Sequence, residues 1–220
     1  MAVDAFEMAV VHGAFRRELT SASSLIHNVE AGDTQRSSAI GGHVAFMAEA
    51  LHHHHAAEDA VIWPKLRARA ATSSEVDVTR MEDTHREIAD YIERVRTVAT
   101  SWSASADPRV ADELVPTLEE FGARLDEHLA DEERNVVPLI NDHLTLREWR
   151  QFLARGGRFL FKHPRLGLVL AGFVLDPLSA EDRQCFLANV PPPQRIAFQL
   201  FGMRIYTAYR AKLYGSPVST

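Results

Sequence analysis

Four long stretches of this chain repeat apolar residues at every third or fourth position, a pattern that a chain satisfies by packing amphipathic helices against one another. The inward row of the first stretch is Ala5, Met8, His12, Phe15, Leu19, Ala22 and Ile26, and that of the second is Ile40, Val44, Met47, Leu51, His54, Glu58 and Ile62. The third row is Met81, His85, Ile88, Ile92, Val95 and Ala99, and the fourth is Leu118, Phe121, Leu125, His128, Glu132 and Val136. Strand-like alternation is almost absent. Breaks fall at Asn28 to Gln35, at Ala70 to Ser74 and at Ser101 to Pro108, where Gly, Pro, Ser and Asp collect. Connections this short favour antiparallel neighbours, so the expectation is an all-α protein whose residues 1–143 form an up-down-up-down four-helix bundle. Pro116 either starts the fourth helix or kinks it.

The two halves of the bundle are alike. A shift of 74 positions lays His54 on His128, Glu58 on Glu132, Asp59 on Glu133 and Pro64 on Pro138. His12 precedes His54 by 54 − 12 = 42 residues, and His85 precedes His128 by 128 − 85 = 43. Two related helical hairpins follow. Beyond Asn141 the pattern changes: Thr145 and Glu148 form a capping box for a short helix ending at Gly156 and Gly157, Ser179 opens another, and a last helix runs from about Gln194 to Tyr214. Ile196, Phe198, Leu200, Phe201, Ile205 and Tyr206 make that last helix apolar on more than one side, which predicts burial. Residues 144–220 are thus expected to be a helical extension packed on the bundle.

The inward rows carry residues that do not belong in an oily core. His54 with Glu58, and His128 with Glu132, are each four positions apart, so on a helix both members of a pair project from one face. A buried carboxylate is costly unless it is paired or binds a metal. His12 and His54 each lie about 25 Å from their shared turn at 1.5 Å per residue, and His85 and His128 repeat the arrangement, which puts four imidazoles in one layer. One His on an apolar face is usually a core residue; four in a layer, two with a Glu one turn on, point to a two-metal site with ligands His12, His54, Glu58, His85, His128 and Glu132. Iron, manganese, zinc and nickel all suit such an inventory. Six residues cannot fill two octahedral shells even with both carboxylates bridging, which leaves room for an oxo or hydroxo bridge and for an exogenous ligand.

Other features narrow the function. The net charge of −6 and the dispersed Lys and Arg argue against nucleic-acid binding. Cys185 is the lone cysteine, read as a small buried residue, so neither a disulfide framework nor a thiolate cage is available. Met1 to Val11 has the wrong polarity for a signal peptide, and the apolar run Leu166 to Leu175 falls short of the roughly 20 residues that span a bilayer. A cytoplasmic protein without membrane contact is expected. His52, His53 and His55 lie off the inward row and are read as solvated, with His55 the one placed to orient a ligand; His27, His43, His143 and His163 carry no assigned role.

With those residues in hand, residues 5 to about 140 resemble the hemerythrin-like, HHE-type cation-binding family. The resemblance is carried by His12, by His54 and Glu58 within His-His-Ala-Ala-Glu-Asp-Ala-Val-Ile-Trp-Pro, by His85, and by His128 and Glu132 within His-Leu-Ala-Asp-Glu-Glu. It implies two iron ions bridged by Glu58 and Glu132, and a small ligand such as dioxygen, peroxide or nitric oxide. Oxygen-carrying members have a further His one turn before the position of His85, where this chain has Met81. That departure leaves the second iron as open as the first and favours iron redox, peroxide or nitrogen-oxide chemistry over simple oxygen carriage. Asp59 and Glu133 are either alternative ligands or partners that orient a His, and Met81, Glu82 and Tyr91 are candidate extra contacts. The rival functions are an oxygen- or iron-sensing module that signals through residues 144–220, to a protein partner or a second copy, and a bundle stapled by zinc.

Overall fold

The computed structural model describes residues 3–70 and 72–215, and for 72–77 the backbone alone. Four long helices make the bundle: α1 (Phe6–His27), α2 (Thr34–Val61), α4 (Thr72–Ser105) and α5 (Pro108–Asn135), with the short α3 (Trp63–Arg69) between the second and third. Each long helix packs on the next, and α5 closes the ring against α1. No strand occurs among the described residues. Every residue of the four inward rows is buried.

Local chemistry sets the ends. Asp33 caps α2 by accepting from the Arg36 backbone N–H at 2.9 Å, and Asp107 caps α5 by accepting from that of Arg109, with Pro108 in the first turn. Gly32 takes φ +81° in the turn before α2, a conformation that costs glycine nothing. A Cβ at Gly41 would collide with Ser103 Oγ and stand 3.0 Å from the Ala99 carbonyl, so the glycine is what lets α2 and α4 approach. Helix α4 already begins at Thr72, which shortens the break expected at Ala70 to Ser74; Ala71 lies outside the described residues. Pro116 sits inside α5, which starts eight residues earlier at Pro108, so Pro116 does not begin the helix.

The hairpin repeat survives into the fold. After Glu58 and after Glu132 the long helix breaks, at Ile62 and Val136, and a seven-residue helix with Pro in its first turn follows: α3 in one half and α6 (Val137–His143) in the other. Then comes α7 (Leu146–Gly156), opened by the expected capping box, in which the Glu148 backbone N–H reaches Thr145 Oγ1 at 3.4 Å and the Thr145 N–H reaches Glu148 Oε2 at 3.0 Å. Helices α3, α6 and α7 close one end of the bundle around Trp63, Leu66, Ile140, Trp149 and Phe152.

The first compact unit runs to Gly156 and so includes α7, because Trp149 and Phe152 are core residues and Trp149 Nε1–H donates to the buried Glu7 at 3.1 Å. The second unit, Gly157–Thr220, holds a 3-10 turn (Arg158–Lys162), α8 (Pro164–Leu175), α9 (Ala180–Asn189), α10 (Pro192–Ala197), a π-turn (Phe198–Gly202) and α11 (Met203–Tyr214). As expected, Ser179 caps α9, accepting from the Asp182 N–H at 3.1 Å. Within this unit α8 and α11 pack so closely that a Cβ at Gly172 would meet the Tyr206 ring, whose hydroxyl donates to Asp176 at 2.9 Å. Two expectations fail here. Phe198 and Tyr206 are buried, but Ile196, Leu200 and Phe201 are more than half exposed, since α8 covers one side of a helix that is apolar on several. Cys185 is exposed, on a helix without a clear apolar face.

Candidate metal centre

Each long helix delivers an imidazole to one layer, close to the end sealed by α3, α6 and α7. His12 Nε2 and His54 Nε2 lie 3.0 Å apart, and the His85 and His128 rings are 4.9 Å apart. Glu58 and Glu132 are fully buried between them. All six residues singled out in the sequence thus converge. Three of them, His12, His54 and Glu58, form one group, and His85 and His128 form a second together with His55, the ligand atoms of each group lying within 4.8 Å of one another.

The carboxylates connect the groups. Glu58 Oε1 is 3.0 Å from His54 Nε2 and its Oε2 is 3.5 Å from His85 Nε2. Glu132 Oε2 is 3.7 Å from His12 Nε2 and 3.9 Å from His128 Nε2. Each carboxylate therefore faces one imidazole from its own hairpin and one from the other.

The companion acids settle into a matching role. Glu133 Oε1 takes the proton of His12 Nδ1 at 3.0 Å, and Asp59 Oδ1 takes that of His85 Nδ1 at 2.7 Å. A carboxylate only accepts, so Nδ1 of each ring carries the proton, and in a neutral ring held this way Nε2 is the bare nitrogen. Each acid is itself held: Arg16 grips Glu133 at 2.7 Å and Trp63 Nε1–H donates to Asp59 at 2.8 Å. Asp59 and Glu133 thus orient the two rings from outside, an arrangement that raises the basicity of a His where it binds a metal. Glu82 instead pairs with Arg67 at the surface, and Tyr91 stacks on Phe121, so neither joins the cluster. Met81 is buried in the end core.

The electrostatics are those of a site built for cations. Burial lowers the His54 imidazole to about 3 and that of His128 to about 2, and pushes His12 and His55 down as well, so these rings are neutral and have a lone pair to give. Burial raises the Glu58 carboxyl to about 7 and Glu132 well above its usual range. Against the upward push of partial burial, hydrogen bonds from His12 and Arg16 hold Glu133 down at about 2. No hydrogen-bond donor with good geometry serves either oxygen of Glu58 or Glu132, nor is there a partner for His85 Nε2, His128 Nε2 or His55 Nε2. The neighbouring Glu58 adds to the upward push on Glu132. Buried donors and acceptors left in this state are costly, and one kind of occupant, a pair of cations, serves them all. The residues fit two metal ions.

The hemerythrin HHE cation-binding domain matches residues 5–140 of the chain. The chain belongs to this family. No curated protein and no solved structure matches it. As a hemerythrin-like protein it is a cation binder with an all-α bundle, and no described helix is long and apolar enough to cross a membrane. The hemerythrin match ends at 140, so α7, which supplies Phe152 at 5.7 Å from the His54 ring, lies outside it.

One residue of the cluster departs from its reading in the sequence. His52 is exposed and His53 pairs with Glu49 at 3.0 Å, as expected for solvated residues, but His55 is buried, stacked on His85 with centroids 4.1 Å apart. The signal was present: Leu51 and Ala48 precede His55 by four and seven positions, so His55 continues a second buried line on α2 beside that of His54. His43, left without a role, forms a buried pair with Glu18 at 3.3 Å.

Proposed function

We propose that the centre holds two iron ions and that the protein binds or reduces a small oxygen species: dioxygen, peroxide or nitric oxide. The observation that carries this reading is that Glu58 stands between His54 and His85 while Glu132 stands between His12 and His128. Two cations in one buried layer repel each other, and anions shared between them are what offsets that repulsion. Imidazole and carboxylate donors suit iron among the first-row metals, and the family likeness favours it. When bound, such ions supply electrons and open coordination positions for a small ligand.

The chain's own residues set the conditions. Asp59 and Glu133 fix the His85 and His12 rings, so neither has to reorganise when charge changes at the centre. Phe15 and Phe152 stand 5.6 and 5.7 Å from the His54 ring, an apolar wall that limits water on that side of the centre. A cytoplasmic setting belongs to the same reading.

Anaerobic loading with ferrous iron followed by air, watched in the near-ultraviolet and visible, tests it. The expected result is the absorption of a bridged ferric pair at two irons per chain. Bands that fade reversibly on deoxygenation favour carriage or sensing, with residues after Gly156 passing occupancy to a partner; rapid loss of peroxide with turnover favours an enzyme. Protein that takes up zinc in preference and stays colourless with iron overturns the reading in favour of a structural staple.

A further inference from the structure

We infer that His55 is itself a metal ligand, the third imidazole on the ion held by His85 and His128. The inference rests on the two-ion reading above but not on the identity of the metal. His55 is only 4% exposed, its Nε2 has no hydrogen-bond partner, and that side chain shares a ligand-distance group with His85 and His128. Its ring lies face to face with His85, at an angle of 11°, and edge-on to His128 with centroids 5.1 Å apart.

The hairpin repeat shows that packing alone does not call for an imidazole here. The shift of 74 lays His55 on Leu129, which is fully buried in the same environment of the second hairpin. A leucine fills that space without an orphaned nitrogen; a histidine there leaves a polar atom that needs a partner. On the facing helix Met81 occupies the position one turn before His85, so α4 offers no second imidazole of its own. α2 supplies one instead, through two adjacent residues that serve different ions, His54 one and His55 the other.

The donors divide unevenly. With both carboxylates shared, the ion at His12 and His54 has four protein ligands, and the ion at His55, His85 and His128 has five. The second position is the more completely filled. The openness that Met81 implies for it is removed.

Zinc titration of the metal-free full-length protein against a competing chelator separates the two positions. His55→Ala should take up the first equivalent as the wild type does and bind the second at least about tenfold more weakly. His52→Ala, which alters an exposed neighbour in the same run, should leave both unchanged. Adding Met81→His to the His55→Ala variant should restore the second equivalent, which a merely structural role for His55 does not allow. A crystal structure of the zinc-loaded wild type provides the independent reading, with His55 Nε2 about 2.0–2.1 Å from an ion. Two equivalents bound by folded His55→Ala with wild-type affinity, or a loaded crystal in which His55 Nε2 stays out of bonding range, overturns the assignment alone. Wild-type protein that binds a single ion overturns the two-ion reading and this assignment with it.

Discussion

His12 Nδ1 donates to Glu133 Oε1 at 3.0 Å, across 121 positions of sequence, and this bond decides which nitrogen of the ring faces the interior. Glu133→Gln keeps the shape but exchanges an acceptor-only group for one that can also donate, so the tautomer is no longer imposed. Metal affinity should fall about 10- to 100-fold, with Asp59→Asn doing the same through His85. Chelator competition at constant pH measures this, and unchanged affinity in both variants would show that the outer acids do not govern the rings.

Glu58→Gln should separate stability from metal binding. The carboxyl is raised to about 7 by burial, so at pH 8 the metal-free fold carries a buried anion. Removing that charge should raise the unfolding free energy of metal-free protein by about 1–3 kcal/mol, because each tenfold gain in proton affinity on folding is worth about 1.4 kcal/mol and burying the amide takes back part of it. The same variant should lose tight binding of the second ion. Urea unfolding with and without metal checks both signs; a less stable metal-free variant contradicts the account.

The pH dependence follows from the direction in which burial moves each group. Glu58 and Glu132 hold protons more tightly in the folded chain than in the unfolded one, so the Glu58 contribution to metal-free stability is lost as pH rises from about 4.5 through about 7, and that of Glu132 is lost in the same direction. The neutral rings act in the opposite sense: His54, down at about 3, costs stability below the ordinary imidazole value near 6.5, and that cost disappears as pH rises to it. Ions must displace the Glu58 proton, so affinity should climb about tenfold per pH unit for each proton released as pH rises toward 7, with displacement of the Glu132 proton acting in the same direction. Titrations at pH 6, 7 and 8 with proton release measured in parallel test this.

The length of the bundle unit is open to a direct comparison. A chain ended after Gly156 keeps Trp149 and Phe152, whereas one ended after His143 loses two buried aromatic residues and leaves Glu7 without its indole partner. The shorter chain should be less stable by at least about 3–5 kcal/mol, the usual cost of emptying one buried aromatic site. Thermal unfolding of the two chains decides it, and equal midpoints would return the boundary to 143.

Periodicity and spacing by themselves determined the four helices, their antiparallel order, the hairpin repeat and the layer of His12, His54, Glu58, His85, His128 and Glu132. These are consequences of 3.6 residues per turn and 1.5 Å per residue, which a sequence states directly. Three things waited for the tertiary structure. The roles of Asp59 and Glu133 depend on which hairpin faces which, since each grips a ring of the other half. The place of α7 in the first unit depends on Trp149 and Phe152 finding a core that α3 and α6 help to enclose. His55 lies only about 100° around α2 from His54, and whether that direction meets water or a neighbouring helix is a property of packing angle that no spacing along one helix encodes.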